Sequence, residues 1–253
     1  MRVGLVQYDP EWENKNLNKD KLNWLLSNKY ESQQLLVFPE MTLTGFTMKA
    51  SDNAENVKGE SFTFFSEIAQ KYSVHILAGI IENKDNKFFN SLLHINPEGK
   101  LEKVYRKMHP FSYSSEDKHY TRGEETLVTG INEFTAGLSI CYDLRFPELY
   151  RYYAKKLVDI IVVIANWPDT RIEHWRTLLR ARAIENQCYV LGVNRVGNDP
   201  KLNYNGFSSI IDPMGVELIS VPLEEKIVTA DIFKEKADEV KTNLPFLNDI
   251  RLI

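Results

Sequence analysis

Three side chains in the sequence are of the types that attack and activate a carbonyl group. Cys141 lies in FTAGLSICYDLRFPELYRYY, a pattern that predicts a strand, a tight turn and a helix. A thiol at the start of a helix lies near backbone N–H groups, which favour a thiolate and can bind an oxyanion. Position alone also fits a cysteine that only packs in the core. A nucleophile therefore needs a partner that removes its proton.

Two other residues could supply the base and the positive charge. Glu40 ends the apolar run LLVFPE, and strand ends form the ligand crevice of α/β sheets. Lys107, in YRKMHPF, could be an ammonium that stabilises developing negative charge. Taken singly, each residue fits a solvated turn better than a catalytic role. A histidine base is the other possibility, although no papain-type signature surrounds Cys141.

The elements that must position these residues are read from hydrophobic periodicity. Apolar runs of strand length, bounded by Gly, Pro, Asn or Asp, predict nine strands: Val3–Tyr8, Leu35–Phe38, His75–Ile81, Ser91–Ile95, Thr135–Ile140, Ile160–Ala165, Tyr189–Val193, Phe207–Ile211 and Lys226–Asp231. The run IIVVIA is apolar throughout, which predicts a strand buried on both faces.

Helical spacing of apolar residues predicts four helices between these strands: Leu17–Ser27, Ser61–Tyr72, Pro147–Lys156 and Glu173–Gln187. Ser61 is the predicted N-cap of the second helix, and Pro147 occupies a first-turn position. Strands that alternate with covering helices predict a layered α/β domain. The polar segment from Tyr105 to Glu125 is long enough to be a functional loop.

Composition narrows the class of protein. The 253 residues are 43% hydrophobic and carry a net charge of −4, which is typical of a globular chain and not of a non-specific nucleic-acid binder. No apolar run approaches the roughly 18 residues of a membrane span, and the N-terminus does not resemble a signal peptide. Cys141 and Cys188 are too far apart in sequence for a zinc motif. We expect a cytoplasmic protein without a metal.

Taken together, three segments resemble the signatures of the nitrilase superfamily of carbon–nitrogen hydrolases. They are LLVFPEMTLTGF, YRKMHPF and GLSICYDLRFPELYR, in the order that the family shows. RVGLVQYDP and ANWPDTRIEHWRTLLRARAIENQCYVLGVNRVG extend the resemblance over essentially the whole chain. It implies one domain over residues 1–253, a four-layer α-β-β-α sandwich and a homodimer.

The resemblance also implies a catalytic triad of Glu40, Lys107 and Cys141. Family members carry a further glutamate after the lysine, and Glu116 fits this place better than Glu124. In the implied reaction, the Lys107 ammonium and the backbone N–H of Tyr142 hold the oxyanion. The family needs no cofactor, and the sequence contains no Walker A or GxGxxG motif for a nucleotide.

Within the superfamily, NWP, HWRTLLRARAIENQ and CYDLRFPE are most similar to the bacterial omega-amidase branch. The implied substrate is the ω-amide of a small dicarboxylic acid, such as α-ketoglutaramate. The neighbouring branch, which hydrolyses deaminated glutathione, shares the CYDLRFPE turn and stays an alternative. Carbamoyl and nitrile substrates are further alternatives, and a non-catalytic binding subunit is the alternative from another class.

A substrate with a remote carboxylate requires a cation in the pocket. Arg145 and Arg195 are the candidates, because a guanidinium binds a carboxylate through two hydrogen bonds. Either arginine could instead form an ordinary salt bridge, and Arg145 could bind within its own turn. We expect Phe46, Tyr120 and Trp167 to form apolar walls of the pocket.

Overall fold

Alternate side chains of the apolar strands enter two different hydrophobic cores. Leu35 and Val37 pack in a core that contains residues of both sheets, whereas Leu36 and Phe38 pack outward against helices. Ile160–Ile164 behaves in the same way in the second sheet, which confirms burial on both faces. The structure, a computed structural model, describes residues 1–252. Its layers are helix, sheet, sheet, helix, as predicted.

Within residues 1–252, the first sheet has six strands: β1 (Arg2–Gln7), β2 (Leu35–Val37), β3 (His75–Lys84), β4 (Lys87–Ile95), β5 (Leu101–Arg106) and β13 (Lys226–Asp231). Their order across the sheet is β13-β1-β2-β3-β4-β5. Strands β1, β2 and β3 run parallel, and β3, β4 and β5 form antiparallel hairpins.

The second sheet of the described chain has seven strands: β6 (Val128–Ile131), β7 (Phe134–Ile140), β8 (Ile160–Ile164), β9 (Tyr189–Val193), β10 (Val196–Asn198), β11 (Asn203–Ile211) and β12 (Glu217–Pro222). Six of them follow the order β10-β11-β9-β8-β7-β6, and the seventh, β12, pairs with β11. Strands β7, β8 and β9 are parallel. The nine predicted strands do not include β5 of the first sheet, the short strands β6 and β10 or the outer strand β12.

The helices are α1 (Lys15–Lys29), α2 (Ala50–Asn53), α3 (Glu60–Tyr72), α4 (Pro147–Lys155), α5 (Ile172–Asn186) and α6 (Lys234–Asn243). Helices α1 and α3 cover the first sheet, and α4 and α5 cover the second. Pro147 begins α4 as predicted. The prediction of Ser61 as an N-cap is wrong: Gly59 is the cap of α3, and the Ser61 hydroxyl instead donates to the Glu55 carboxylate.

The parallel order of the strands brings the candidate residues together. Glu40 follows the carboxyl end of β2, Cys141 that of β7 and Asn166 that of β8. Carboxyl ends of neighbouring parallel strands lie at the same edge of a sheet, where α/β proteins form ligand sites. Lys107 follows β5 in the first sheet. The face-to-face packing of the two sheets therefore brings these strand ends to one place.

Candidate active site

The Glu40 carboxylate is held deep in the protein by a close approach of two backbone segments. Glu40 is 1% exposed. The chain passes so close to Gly79 of β3 that a Cβ there would lie 2.8 Å from the Glu40 Cα and 2.6 Å from the Met41 nitrogen. Real Cβ atoms do not tolerate such distances, so only glycine fits at position 79. This contact fixes the height of Glu40 above the sheet.

Lys107 lies between two buried carboxylates. Its Nζ is 2.8 Å from Glu40 Oε1, and 2.9 Å from Glu116 Oε2. The backbone N–H of Phe111 also donates to Glu116, at 2.5 Å, and so fixes the second glutamate. The structure thus brings Glu40, Lys107 and Glu116 together. The less favoured Glu124 is exposed on the following loop.

Two asparagines that the sequence analysis missed complete the hydrogen bonds of Glu40. The Asn90 Nδ2 donates to Glu40 Oε1 at 2.7 Å and to Glu116 Oε1 at 2.9 Å. The Asn166 backbone N–H donates to Glu40 Oε2 at 2.9 Å, and its Nδ2 donates to the Glu40 backbone carbonyl at 2.7 Å. Donors on both carboxylate oxygens hold Glu40 in one orientation.

Cys141 begins a 3₁₀ turn, Cys141–Arg145, directly after β7. Its φ of +48° is in the left-handed region, which residues other than glycine rarely adopt. The buried Asp143 carboxylate holds this turn: it accepts hydrogen bonds from the Ile140 N–H at 2.9 Å, the Tyr105 hydroxyl at 2.7 Å and the His109 N–H at 3.0 Å. Asp143 therefore links the cysteine turn to the segment that carries Lys107.

The charges in this group act on one another because they are buried. Burial is the largest effect on the pKa of the Cys141 thiol and raises it; the Glu40 carboxylate raises it further, and Lys107 opposes both. Burial alone would lower the pKa of Lys107, but Glu116 and Glu40 outweigh it and hold that pKa well above its usual value. The resting site therefore contains a neutral thiol and a charged ammonium.

A cavity of about 360 Å³ is bordered by Cys141, Tyr142 and Asn166. Its aromatic lining consists of Trp12, Phe46, Phe111, Tyr142, Trp167 and Tyr204. Its charged lining consists of Glu13, Lys49, Arg145, Arg171, Asp199 and Lys201. All six of these charged residues are half-buried or exposed, in contrast to the buried carboxylates and lysine beside the thiol. The cavity can thus admit a small polar molecule as far as Cys141.

Comparison with known proteins identifies the family of this chain. A family profile for carbon–nitrogen hydrolases matches residues 2–242. The chain belongs to the carbon–nitrogen hydrolase family. It is a hydrolase that acts on carbon–nitrogen bonds, as the resemblance in the sequence implied.

Relatives of this carbon–nitrogen hydrolase span its whole length. A 2-oxoglutaramate amidase of Bacillus subtilis is 33% identical over 251 residues, covering 98% of this chain and 97% of that protein. An omega-amidase of Yersinia enterocolitica is 32% identical, covering 98% and 96%. The crystal structure of a CN-hydrolase superfamily protein from Xanthomonas campestris, with an arsenic adduct in its active site, superposes with a TM-score of 0.95 at 32% identity, covering 100% and 98%.

Three of the predicted substrate-binding residues of this hydrolase border the cavity: Phe46, Trp167 and Arg145. The Phe46 ring lies 5.3 Å from the Lys107 Nζ. The Arg145 guanidinium stacks on the Trp167 ring at 4.7 Å and contacts the His174 Nδ1 at 3.3 Å. Arg145 therefore faces the cavity instead of binding within its own turn, which was its alternative.

Arg195 and Tyr120 lie outside the cavity lining. Arg195 is fully buried, and its Nη2 donates to Asp9 Oδ1 at 2.7 Å and to the Asn198 carbonyl at 2.9 Å. This arginine ties the segment after β1 to the β10–β11 hairpin, which corresponds to the salt-bridge alternative. The Tyr120 hydroxyl donates to the Thr47 carbonyl at 2.6 Å. The Arg195 guanidinium lies 4.5 Å from the Tyr204 ring, so both residues contact the cavity lining.

Within residues 1–252, no group of three or more His, Cys, Asp or Glu side chains is arranged to hold a metal ion. Over the same part of the chain, no helix has the length and apolar character needed to cross a membrane.

Proposed function

We propose that this hydrolase is a cysteine-dependent amidase that converts the ω-amide of a small dicarboxylic acid monoamide, such as α-ketoglutaramate, to the acid and ammonia. The observation that carries the proposal is the position of Lys107 between the buried carboxylates of Glu40 and Glu116, beside the cavity that Cys141 borders. A thiol, a base and a fixed cation are the groups that acyl transfer requires.

In the proposed acylation, Cys141 attacks the amide carbon while its proton passes to Glu40. The raised pKa of the thiol means that the proton must leave during the attack, because little thiolate exists beforehand. The Lys107 ammonium and the N–H of Tyr142 would stabilise the oxyanion. N–H groups in the first turn of a helix have no partner inside the helix, so they are free to bind a developing charge.

The protonated Glu40 then donates its proton to the nitrogen of the leaving group, the C–N bond breaks, and ammonia departs. A thioester remains on Cys141. Water enters, Glu40 removes one of its protons, and attack on the thioester releases the acid and restores the thiol. Glu116, whose carboxylate contacts Lys107 and not the thiol, holds the ammonium charged and oriented through both steps.

The charged lining of the cavity supports an anionic substrate. Arg145 and Arg171 both border the cavity, and within residues 1–252 neither forms an ion pair with a carboxylate. A carboxylate at the far end of the substrate would form an ion pair with one or both guanidinium groups. The names of the Bacillus subtilis and Paenarthrobacter nicotinovorans relatives, both 2-oxoglutaramate amidases, support the same substrate class.

The proposal is tested by ammonia release from four compounds: α-ketoglutaramate, succinamate, glutamine and a deaminated-glutathione mimic. We expect turnover of the first two by the wild type and none by Cys141→Ala, with circular dichroism showing that the variant is folded. Glu40→Gln should fold and should fail to form the thioester, which quenching and mass spectrometry would detect.

Each result has a distinct meaning. Release only from the glutathione mimic would keep the mechanism and replace the substrate with that of the neighbouring branch. Turnover retained by Cys141→Ala would refute the nucleophile. No release from any of the four compounds would contradict the proposed substrate class and favour a carbamoyl or nitrile substrate, or a binding subunit.

We propose further that the protein is a cytoplasmic homodimer of one domain, as the resemblance implies. Exposed apolar side chains near α5 support this assembly. Ile184 is 53% exposed, and the turn that carries Met214 and Val216 packs beside it, since a Cβ at Gly215 would lie 2.5 Å from Ile184.

A further inference from the structure

One side chain at the cavity has a hydrogen-bonding atom that the protein leaves unused. Among residues 1–252, Asn166 is the one residue that both borders the cavity and has a buried side-chain polar atom without a partner, its Oδ1. The residue is 5% exposed. A buried oxygen that accepts no hydrogen bond destabilises the folded protein. Asn166 borders the cavity, so a molecule bound there can supply the donor that the folded chain does not.

The orientation of the Asn166 amide follows from its neighbours. Nδ2 is 2.7 Å from the Glu40 carbonyl oxygen and 3.5 Å from Glu40 Oε2. Rotating the amide by 180° would place Oδ1 against these two acceptors, so the nitrogen must face Glu40 and the oxygen must face away from it. The backbone carbonyl of the same residue is 4.0 Å from the Cys141 Sγ. Asn166 therefore lies between the proposed base and the nucleophile.

Asn90 is a natural comparison for Asn166. It also donates to Glu40, and its Oδ1 is also buried without a donor, but Asn90 does not border the cavity. The two asparagines thus share the contact with Glu40 and differ in access to a substrate. Both asparagines can therefore orient Glu40, but only Asn166 can also contact the substrate.

We infer that the Asn166 Oδ1 accepts a hydrogen bond from the N–H of the substrate amide and so determines specificity for primary amides over esters. The inference rests on the proposed amidase function and adds a residue to it. In acylation the C–S bond forms, the C–N bond breaks, and the proton from Cys141 reaches the nitrogen through Glu40. The leaving nitrogen carries N–H groups throughout this step, so Oδ1 can bind it in the substrate and in the departing ammonia.

An ester offers no such donor. Its leaving oxygen carries no hydrogen in the substrate, and it takes the proton from Glu40 only as the C–O bond breaks. A site built to hydrogen-bond an N–H group discriminates against an analogue that lacks it, because the buried acceptor is left unpaired. Succinamate and monomethyl succinate would yield the same thioester on Cys141. Any difference between them in kcat/KM therefore arises in binding or acylation.

The experiment measures kcat/KM for succinamate and monomethyl succinate with the wild type, Asn166→Ala and Asn90→Ala. We expect both variants to lose rate on both substrates, because each loses a donor to Glu40. Only Asn166→Ala should lower the ratio of amide to ester, by about 10-fold, the loss typical of one hydrogen bond.

An unchanged ratio in Asn166→Ala, with amide turnover still measurable, would overturn the inference and leave the amidase function intact. An equal fall of the ratio in Asn90→Ala would also overturn it, since the effect would then arise from Glu40. If the alanine variant does not fold, Asn166→Ser, which likewise lacks the amide oxygen, takes its place. A wild type inactive on every amide tested would remove the proposed function and this inference together.

Discussion

The two ends of the active site are built by different means. At the inner end, which lies behind the cavity lining and consists of Glu40, Asn90, Lys107 and Glu116, the side chains are at most 1% exposed and bind one another at 2.7–3.2 Å. At the outer wall, which consists of Trp12, Lys49, Arg145, Arg171 and Lys201, charged groups lie on loops and turns and are half-buried or exposed. The charges of the inner end are paired with one another, whereas Arg145 and Arg171 of the outer wall form no ion pair within residues 1–252.

This difference separates the chemistry from the choice of substrate. A buried charged network loses much of its effect when one member is removed, because the remaining charge has no compensation. A half-exposed cation at the outer wall is hydrated when it is unpaired, so its loss affects only the ligands that it binds. We therefore expect inner-end substitutions to lower kcat and outer-wall substitutions to raise KM.

The largest effect in this comparison is expected from Glu116→Gln. Removing this charge leaves Lys107 paired with Glu40 alone and misplaces the ammonium that stabilises the oxyanion. We expect kcat/KM to fall by about 10²–10³, the loss typical of one oxyanion donor, with little change in KM. The matched control is Glu124→Gln on the exposed loop, which should behave as the wild type. Equal losses in the two variants would contradict the assignment of Glu116.

The Cys141 thiol lies beside the inner end, and its protonation state can be followed by its reactivity. Burial, with help from Glu40, raises the pKa of Cys141 above its ordinary value of 9.0. A raised pKa means that the thiolate fraction grows about tenfold for each unit of pH below that pKa. Alkylation of Cys141 by iodoacetamide should therefore still be accelerating at pH 9, with Cys141→Ala as the control for other sites. A plateau near pH 7 would show a preformed thiolate instead.

A smaller and more selective effect is expected at the outer wall. Arg145→Met keeps the contact with Trp167 but removes the guanidinium. We expect KM for succinamate to rise about tenfold, as for the loss of a hydrogen bond to a charged group, while kcat stays within a few-fold. Butyramide, which lacks the carboxylate, serves as the control substrate and should be unaffected. A fall in kcat on both substrates would place Arg145 with the inner end.

The smallest effect is expected for Lys49→Gln. The Lys49 Nζ binds Glu13 Oε2 at 2.7 Å, and its side chain is 63% exposed. Because this cation already has a partner and is well hydrated, its removal should change KM for the anionic amide by no more than about threefold. Titration of initial rates against succinamate concentration measures this change. A rise comparable to that of Arg145→Met would mean that Lys49 also binds the substrate.

The parts of the fold that depend on local sequence could be predicted. IIVVIA predicted a strand buried on both faces, because its composition is apolar at every position. The turn at Cys141 followed from a strand pattern that meets Pro147 at the first turn of a helix. The choice of Glu116 over Glu124 required the resemblance to a family, since the two glutamates have similar polar surroundings in the sequence.

Long-range contacts could not be predicted in this way. Asn166 binds Glu40 across 126 positions of sequence, and Asn90 binds it across 50. Asn166 did stand in the NWP segment that carried part of the resemblance, which is the one signal that could have indicated it. Arg195 was misplaced for the same reason, because its partner Asp9 lies 186 positions away in the sequence. Ser61 was misplaced by a local contact instead, since its hydroxyl donates to Glu55, six positions earlier.

The left-handed backbone of Cys141 has a consequence for engineering this protein. A side chain held at a φ of +48° costs on the order of 1–3 kcal/mol, and glycine would relieve that strain. At position 141 the reaction needs a cysteine, whereas the backbone conformation favours glycine. A laboratory selection for thermal stability alone would favour glycine at this position and yield a more stable protein without its nucleophile. Every round of such a selection therefore needs a screen for turnover.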